Sequence, residues 1–215
     1  MIQPDGPTLI PGIAEAICDR ILRGALREGE VIHQTELAKE LGVSPVPLRE
    51  ALRRLEAEGL VTFLPYRGTI VTPITALEIR EGFAAGIALG LVMLPEALPK
   101  LKPADFDTLR SLAEAMDGGD AGQEDVLQFY TLLLQPAGMP WLLDMFRKII
   151  IRGIRFFPLT QANRREHQHV KPTRLELVAA CESGDQEAAK RAFTDYHRIR
   201  CEGLVKAHAQ REWSP

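Results

Sequence analysis

The side chains with the clearest chemistry in this 215-residue chain are arginines at helical spacing. Arg49 and Arg53 in PVPLREALRRLEA stand one turn apart. At 100° per residue they share a face with Val46 and Glu50, opposite a stripe of Leu48, Ala51, Leu52 and Leu55. A guanidinium carried outward on such a helix can donate two parallel hydrogen bonds to guanine O6 and N7, or hold a phosphate. Arg67, beside Gly68 in LPYRGTIV, is a further outward candidate that could reach a minor groove or a flanking phosphate.

A second group of residues lies far along the chain and points inward. Arg174 falls on a stripe with Leu177, Val178 and Cys181, and Arg152 on the line Met145, Ile149, Phe156. Tyr130 lies with Val126 and Leu133, and Tyr196 with Ala189, Ala192 and Phe193. Inward arginines in an apolar bundle are costly unless a carboxylate such as Glu176 or Asp185 pairs with them or an anionic ligand is offered. His167 and His169 in REHQHVKP, with His197, are a third group to weigh as metal ligands. Two histidines at i, i+2 before a proline do not share a helix face, which argues against a cation there. An enzyme would need a Ser/His/Asp order, a phosphate-binding glycine loop or a carboxylate pair, and none is evident.

The elements that must position these groups follow from periodicity and punctuation. A first helix from Ile13 carries Ile17, Ile21 and Leu22, and a short second one carries Leu37, Ala38 and Leu41. Gly42 stands where a helix end favours a left-handed residue, and Ser44-Pro45 reads as an N-cap followed by proline at the first helical position. The third helix, the one bearing Arg49, thus starts three residues after the second ends and stops at Gly59. That tight connection is the geometry of a helix-turn-helix. LVTFLPYRGTIVTP then reads as two short strands around Tyr66-Arg67-Gly68, a wing. Every later segment reads as helix: about 76–97, 103–116, 123–135, 140–158, 161–182 and 185–209. Residues 1–75 and 76–215 are therefore two domains, the fold mostly α: a winged helix-turn-helix, then an all-helical bundle. Gly86 and Gly90 in AAGIALGLVM permit close helix packing.

Composition bounds the possibilities. With 46% hydrophobic and 26% charged residues the chain is ordinary for a globular protein, and it has no unbroken apolar run of eighteen and no secretory leader pattern. A cytoplasmic protein with no membrane partner is the expectation. Three scattered cysteines, Cys18, Cys181 and Cys201, provide neither a disulfide framework nor a zinc site. Residues 1–75 carry eight Lys/Arg against ten Asp/Glu, net −2, so nucleic acid would have to be held by a local patch. That negative balance and Pro45 also motivate the alternative of a winged helix that docks protein instead of DNA.

AICDRILRGALREGEVIHQTELAKELGVSPVPLREALRRLEAEGLVTFLPYRGTIVTP resembles the winged helix-turn-helix of the GntR family of bacterial transcription regulators, with ELAKELGVS, REALRRLEAEGLV and RGTIV as its specific motifs. The helical remainder is similar to the ligand-binding domain of the family's FadR-like branch. The resemblance implies a homodimer assembled through that domain, a palindromic double-stranded operator, and a small effector, typically an organic acid, that alters DNA affinity. It puts DNA contacts at Thr35, at Ser44, Pro45, Val46 and Arg49, at Arg53, and at Arg67 and Gly68. Many members have Arg at position 45, and Pro45 cannot hydrogen-bond a base edge. Many FadR-like domains hold a divalent metal with one Asp and three His. Alignment puts Val126, Tyr130, Arg174 and Tyr196 at those places, so no metal and no cofactor are expected. The effector is then expected on Arg174, Arg152, Tyr130 and Tyr196.

Overall fold

The computed structural model describes residues 9–116, 123–153, 156 and 170–211. The chain divides between Ile74 and Thr75 into two compact units, each with its own hydrophobic cluster.

In the first unit Ile13, Ile17 and Ile21 on α1 (Leu9–Leu22) are buried against Leu37 and Ala38 of α2 (Gln34–Leu41) and Leu48, Ala51, Leu52 and Leu55 of α3 (Pro45–Ala57). On α1 and α3 the sets recur at three or four residues, so one face of each helix is buried and the rest stays wet. Gly42 closes α2 with φ 67°, where a side chain would be strained. The Val43 N–H donates to the Ala38 carbonyl at 3.0 Å, the backward bond that satisfies a helix end. Ser44 takes the extended N-cap conformation and Pro45 opens α3, but the Ser44 hydroxyl makes no cap bond.

Two strands were legible in the sequence, and three are present among the described residues. Val61–Leu64 (β2) and Gly68–Val71 (β3) form the hairpin, and Val31–Ile32 (β1) adds to its other edge, giving the antiparallel order β1-β3-β2. Two residues are too few to show alternation, which is why β1 escapes a pattern-based reading. The hairpin is braced at one rung. Phe63 pairs with Thr69, the Phe63 N–H donates to Glu56 Oε1 of α3 at 3.1 Å, and Gln34 Nε2 of α2 donates to Thr69 Oγ1 at 3.0 Å.

The second unit consists, among the described residues, of α4 (Ala76–Ala97), α5 (Pro103–Ala115), α6 (Gln123–Leu134), α7 (Pro140–Gly153), α8 (Val170–Glu182) and α9 (Gln186–Arg211). The 140–158 and 161–182 helices expected from sequence run partly over residues outside the described set, as do His167 and His169. Thr75 caps α4 by accepting from the Glu78 N–H at 3.1 Å. By length and composition Ala76–Lys100 is apolar enough to cross a membrane. In the fold it is a packing helix of the bundle, burying Ile79, Gly86, Gly90, Met93, Leu94 and Ala97 and meeting α9, α7 and α6.

The two glycines of α4 differ in what they allow. A Cβ at Gly90 would lie 2.2 Å from the Phe193 ring, whereas one at Gly86 meets only Phe146, at an ordinary 3.9 Å. Phe193 is fully buried and has no room to yield. Gly90→Ala should therefore destabilise the helical unit by about 1–3 kcal/mol through overpacking, while Gly86→Ala should be neutral or slightly stabilising through helix propensity. Equal denaturant midpoints for the two variants would contradict this packing.

Candidate functional site

The outward face of α3 is laid out as its spacing demands. Val46 is 72% exposed, and Ser44, Pro45, Arg49, Glu50 and Arg53 are exposed beside it. Thr35 is exposed in the first turn of α2, and Arg67 and Gly68 are exposed at the wing. Ion pairing separates the arginines of this unit. Arg20 pairs with Glu40, Arg23 with Asp19, Arg53 with Glu50 and Arg54 with Glu58. Among the described residues Arg49 and Arg67 form no ion pair. The Arg53–Glu50 contact, at 3.4 Å between exposed groups, is weak enough to open when a phosphate competes. Pro45 contributes shape and no donor.

The wing tip holds one residue that periodicity could not single out. Tyr66 is fully exposed and has φ 64°, the only positive φ outside glycine among the described residues. The Arg67 N–H donates to the Leu64 carbonyl at 3.2 Å, closing a turn with proline second and a left-handed residue third. That third place favours Gly or Asn, and an L-residue held there costs roughly 1–2 kcal/mol.

The helical unit contains a buried polar chain. Arg174 on α8 is 3% exposed and its Nε donates to the Tyr196 hydroxyl of α9 at 3.1 Å. Tyr196 also interacts electrostatically with Tyr130 of α6. Tyr130 Oη lies 2.9 Å from His197 Nε2, and His197 Nδ1 lies 2.7 Å from the Phe193 carbonyl oxygen. Burial holds the His197 imidazole down to about 4, so it is neutral at physiological pH. Since a carbonyl only accepts, Nδ1 carries the proton and Nε2 accepts from Tyr130. Two directed segments result: Arg174 donates to Tyr196, while Tyr130 donates to His197 and His197 to the backbone.

Charge around the phenols follows the same order. Burial pushes the Tyr196 hydroxyl up, but Arg174 and Arg200 pull harder and leave it at about 8. The two guanidinium carbons lie 5.6 and 6.0 Å from the Tyr196 ring centroid. Tyr130 is raised well above the phenol range, by burial first and then by Tyr196.

Arg174, Tyr130 and Tyr196 are thus brought together, as helical spacing implied. Arg152 is a correction: its side chain is 58% exposed and its Nε donates to Glu78 Oε1 of α4 at 2.9 Å. The inward line of α7 runs through Phe146, not through Met145, which is 40% exposed. Arg152 therefore sits outside the bundle and is no part of the interior site. Glu176 and Asp185 are both exposed, Asp185 accepting from the Ala188 N–H at the start of α9. His197, weighed only as a metal ligand, instead anchors the chain; its partner comes from 67 positions away.

The described residues do not fit a resident cation. No three His, Cys, Asp or Glu side chains converge among the described residues, both His197 nitrogens are engaged, and Arg174 would repel a positive ion. The same histidine sets the acid response. An unfolded chain takes up a proton near the ordinary 6.5, but native His197 resists protonation until about 4. The helical unit should therefore lose stability as pH falls from 6.5 to 4, with His197→Gln flattening that dependence. Trp141 and Trp213 both follow Thr75, so tryptophan fluorescence in denaturant reports this unit; an unchanged pH slope in the variant would refute the assignment.

The gntR-family profile of bacterial regulatory proteins matches residues 9–71, and the FCD-domain profile matches residues 81–198. An uncharacterized HTH-type transcriptional regulator, YdhC of Bacillus subtilis, is 27% identical over 198 residues, spanning 86% of this chain and 85% of its own. The HTH-type transcriptional regulator McbR of Escherichia coli is 27% identical over 183 residues, 80% of this chain and 81% of its own. The solved structure of E. coli McbR/YncC superposes with a TM-score of 0.76 at 21% identity, covering 93% of this chain and 98% of that one. These relatives are transcription regulators, not enzymes, and the agreement extends through both units: the chain belongs to the GntR family of bacterial regulatory proteins, in the FadR-like branch that carries an FCD domain after its winged helix-turn-helix.

Proposed function

We propose that this chain is a cytoplasmic, ligand-responsive regulator that reads a short palindromic operator as a homodimer, its DNA affinity set by a small anionic metabolite in the helical unit. Arg174 carries the effector reading. It is a fixed positive charge inside an apolar bundle, beside a second cation, Arg200, on the same tyrosine ring. A guanidinium can grip a carboxylate bidentately without a metal. Because the Tyr130 proton is committed to His197, that phenol has none to give a ligand, while Tyr196 orients Arg174, and an organic acid is the matching class.

On the DNA side, the unpaired Arg49 and Arg67 support contact with operator bases and phosphates. Thr35, Ser44, Val46, Arg53 and Gly68 lie exposed for flanking contacts, and Pro45 shapes the approach. Exposed Leu77 and Val92 on α4 with Trp141 and Met145 on α7 offer apolar surface for a second copy. Effector binding can shift DNA affinity only by favouring one arrangement of the dimer over another.

Two substitutions test the two halves. Arg49→Ala should keep the fold and lose about 1–3 kcal/mol of operator binding per half-site, read on a duplex selected from a random pool by the wild-type protein; binding within a few-fold of wild type would reject the assigned face. Arg174→Met keeps much of the apolar stem and deletes the charge. It should bind that duplex normally and fail to respond to whichever organic acid, in a panel titrated against the wild-type complex, alters binding. A variant that responds at the wild-type concentration would make Arg174 a purely structural cation.

A further inference from the structure

We infer that Tyr66 is a DNA-contacting residue whose ring packs into the minor groove beside the major-groove helix α3; the inference rests on the operator-reading function above. The residue stands fully bare at the wing tip in a left-handed conformation that glycine would adopt without strain. Strained, exposed positions of this kind belong to surfaces completed by a partner.

Neighbouring groups identify that partner as DNA. Arg67, the next residue, is exposed and forms no ion pair, so the tip presents a cation and an aromatic ring together. The rung below is held by Glu56 on α3 and Gln34 on α2. The tip is therefore carried at a fixed offset from the helix that enters the major groove. An apolar or aromatic side chain set beside a cation at a minor groove packs on the sugars or wedges at a base step, while the cation holds phosphate. The turn itself requires a left-handed residue at position 66, so three variants separate ring from backbone: Tyr66→Phe keeps the ring, Tyr66→Asn keeps a side chain that tolerates the conformation, and Tyr66→Gly relieves the strain.

The experiment uses the full-length protein and the duplex that it selects from a random pool. Tyr66→Phe should bind as wild type, whereas Tyr66→Asn and Tyr66→Gly should each bind about ten-fold more weakly. Their salt dependence should be unchanged, because no phosphate contact is lost, while Arg67→Ala should reduce the log–log salt slope by about 1 per half-site. Hydroxyl-radical footprints should lose minor-groove sugar protection flanking the helix-contacted bases in the Asn and Gly variants. Amide exchange across β2 and β3 should be no faster in Tyr66→Gly, showing that affinity is not lost through wing unfolding. Wild-type-like binding by Tyr66→Asn, or an unaltered footprint, overturns the inference and leaves the operator-reading function standing; a wild-type protein that selects no duplex overturns both.

Discussion

The ring of Phe193 occupies the space that any side chain at position 90 would claim, and much of the helical unit depends on that one close approach. It seats α9 directly on α4. The same residue's carbonyl receives the last hydrogen bond of the buried polar chain, from His197. Apolar packing and polar order meet at a single residue: its carbonyl sets the His197 tautomer, and that tautomer sets the direction of the Tyr130 hydroxyl. A polar network built in a core is stabilising only when each member is satisfied, and here the backbone acceptor at its end makes that possible.

Much of the architecture was legible because periodicity and punctuation agreed. Gly42, Pro45 and the Leu48–Leu55 stripe fix the helix-turn-helix, and Arg174 was turned inward by its neighbours Leu177, Val178 and Cys181. Arg152 shows where periodicity loses its power. Leu142, Leu143, Met145, Phe146, Ile149, Ile150 and Ile151 make α7 apolar on more than one side, so a rotation by one residue gives an equally good stripe, and only packing on α4 decides. His197 adjoins Tyr196 on α9, and the partner that explains its burial lies on another helix. No local pattern announces a pairing across 67 positions. The left-handed Tyr66 was invisible for a different reason: tyrosine has no preference for that conformation, and the turn imposes it.

Electrostatics in the first unit are a matter of distribution more than of total. Its carboxylates outnumber its cations, yet several are engaged with Arg20, Arg23, Arg53 and Arg54, and exposed pairs of this sort are nearly neutral at a distance. Near α3 and the wing, Arg49 and Arg67 are exposed cations without an ion pair among the described residues. A net negative unit can in this way present a locally positive edge, a distinction that counting residues obscures.

The two braces on the wing also have a mechanical meaning. Glu56 and Gln34 grasp opposite members of the Phe63–Thr69 pair, one rung below the end of the ladder, so the hairpin is a lever clamped close to its tip instead of a flexible arm hinged at its base. Flexing is confined to the turn beyond Leu64 and Gly68. Loosening either clamp would lengthen the free arm and let the tip sweep a wider arc, trading angular accuracy for tolerance of differently spaced sequences. In an operator-reading protein of the kind proposed, the side chains at positions 34 and 56 would set how strictly the wing measures distance along its target, independently of which bases are preferred.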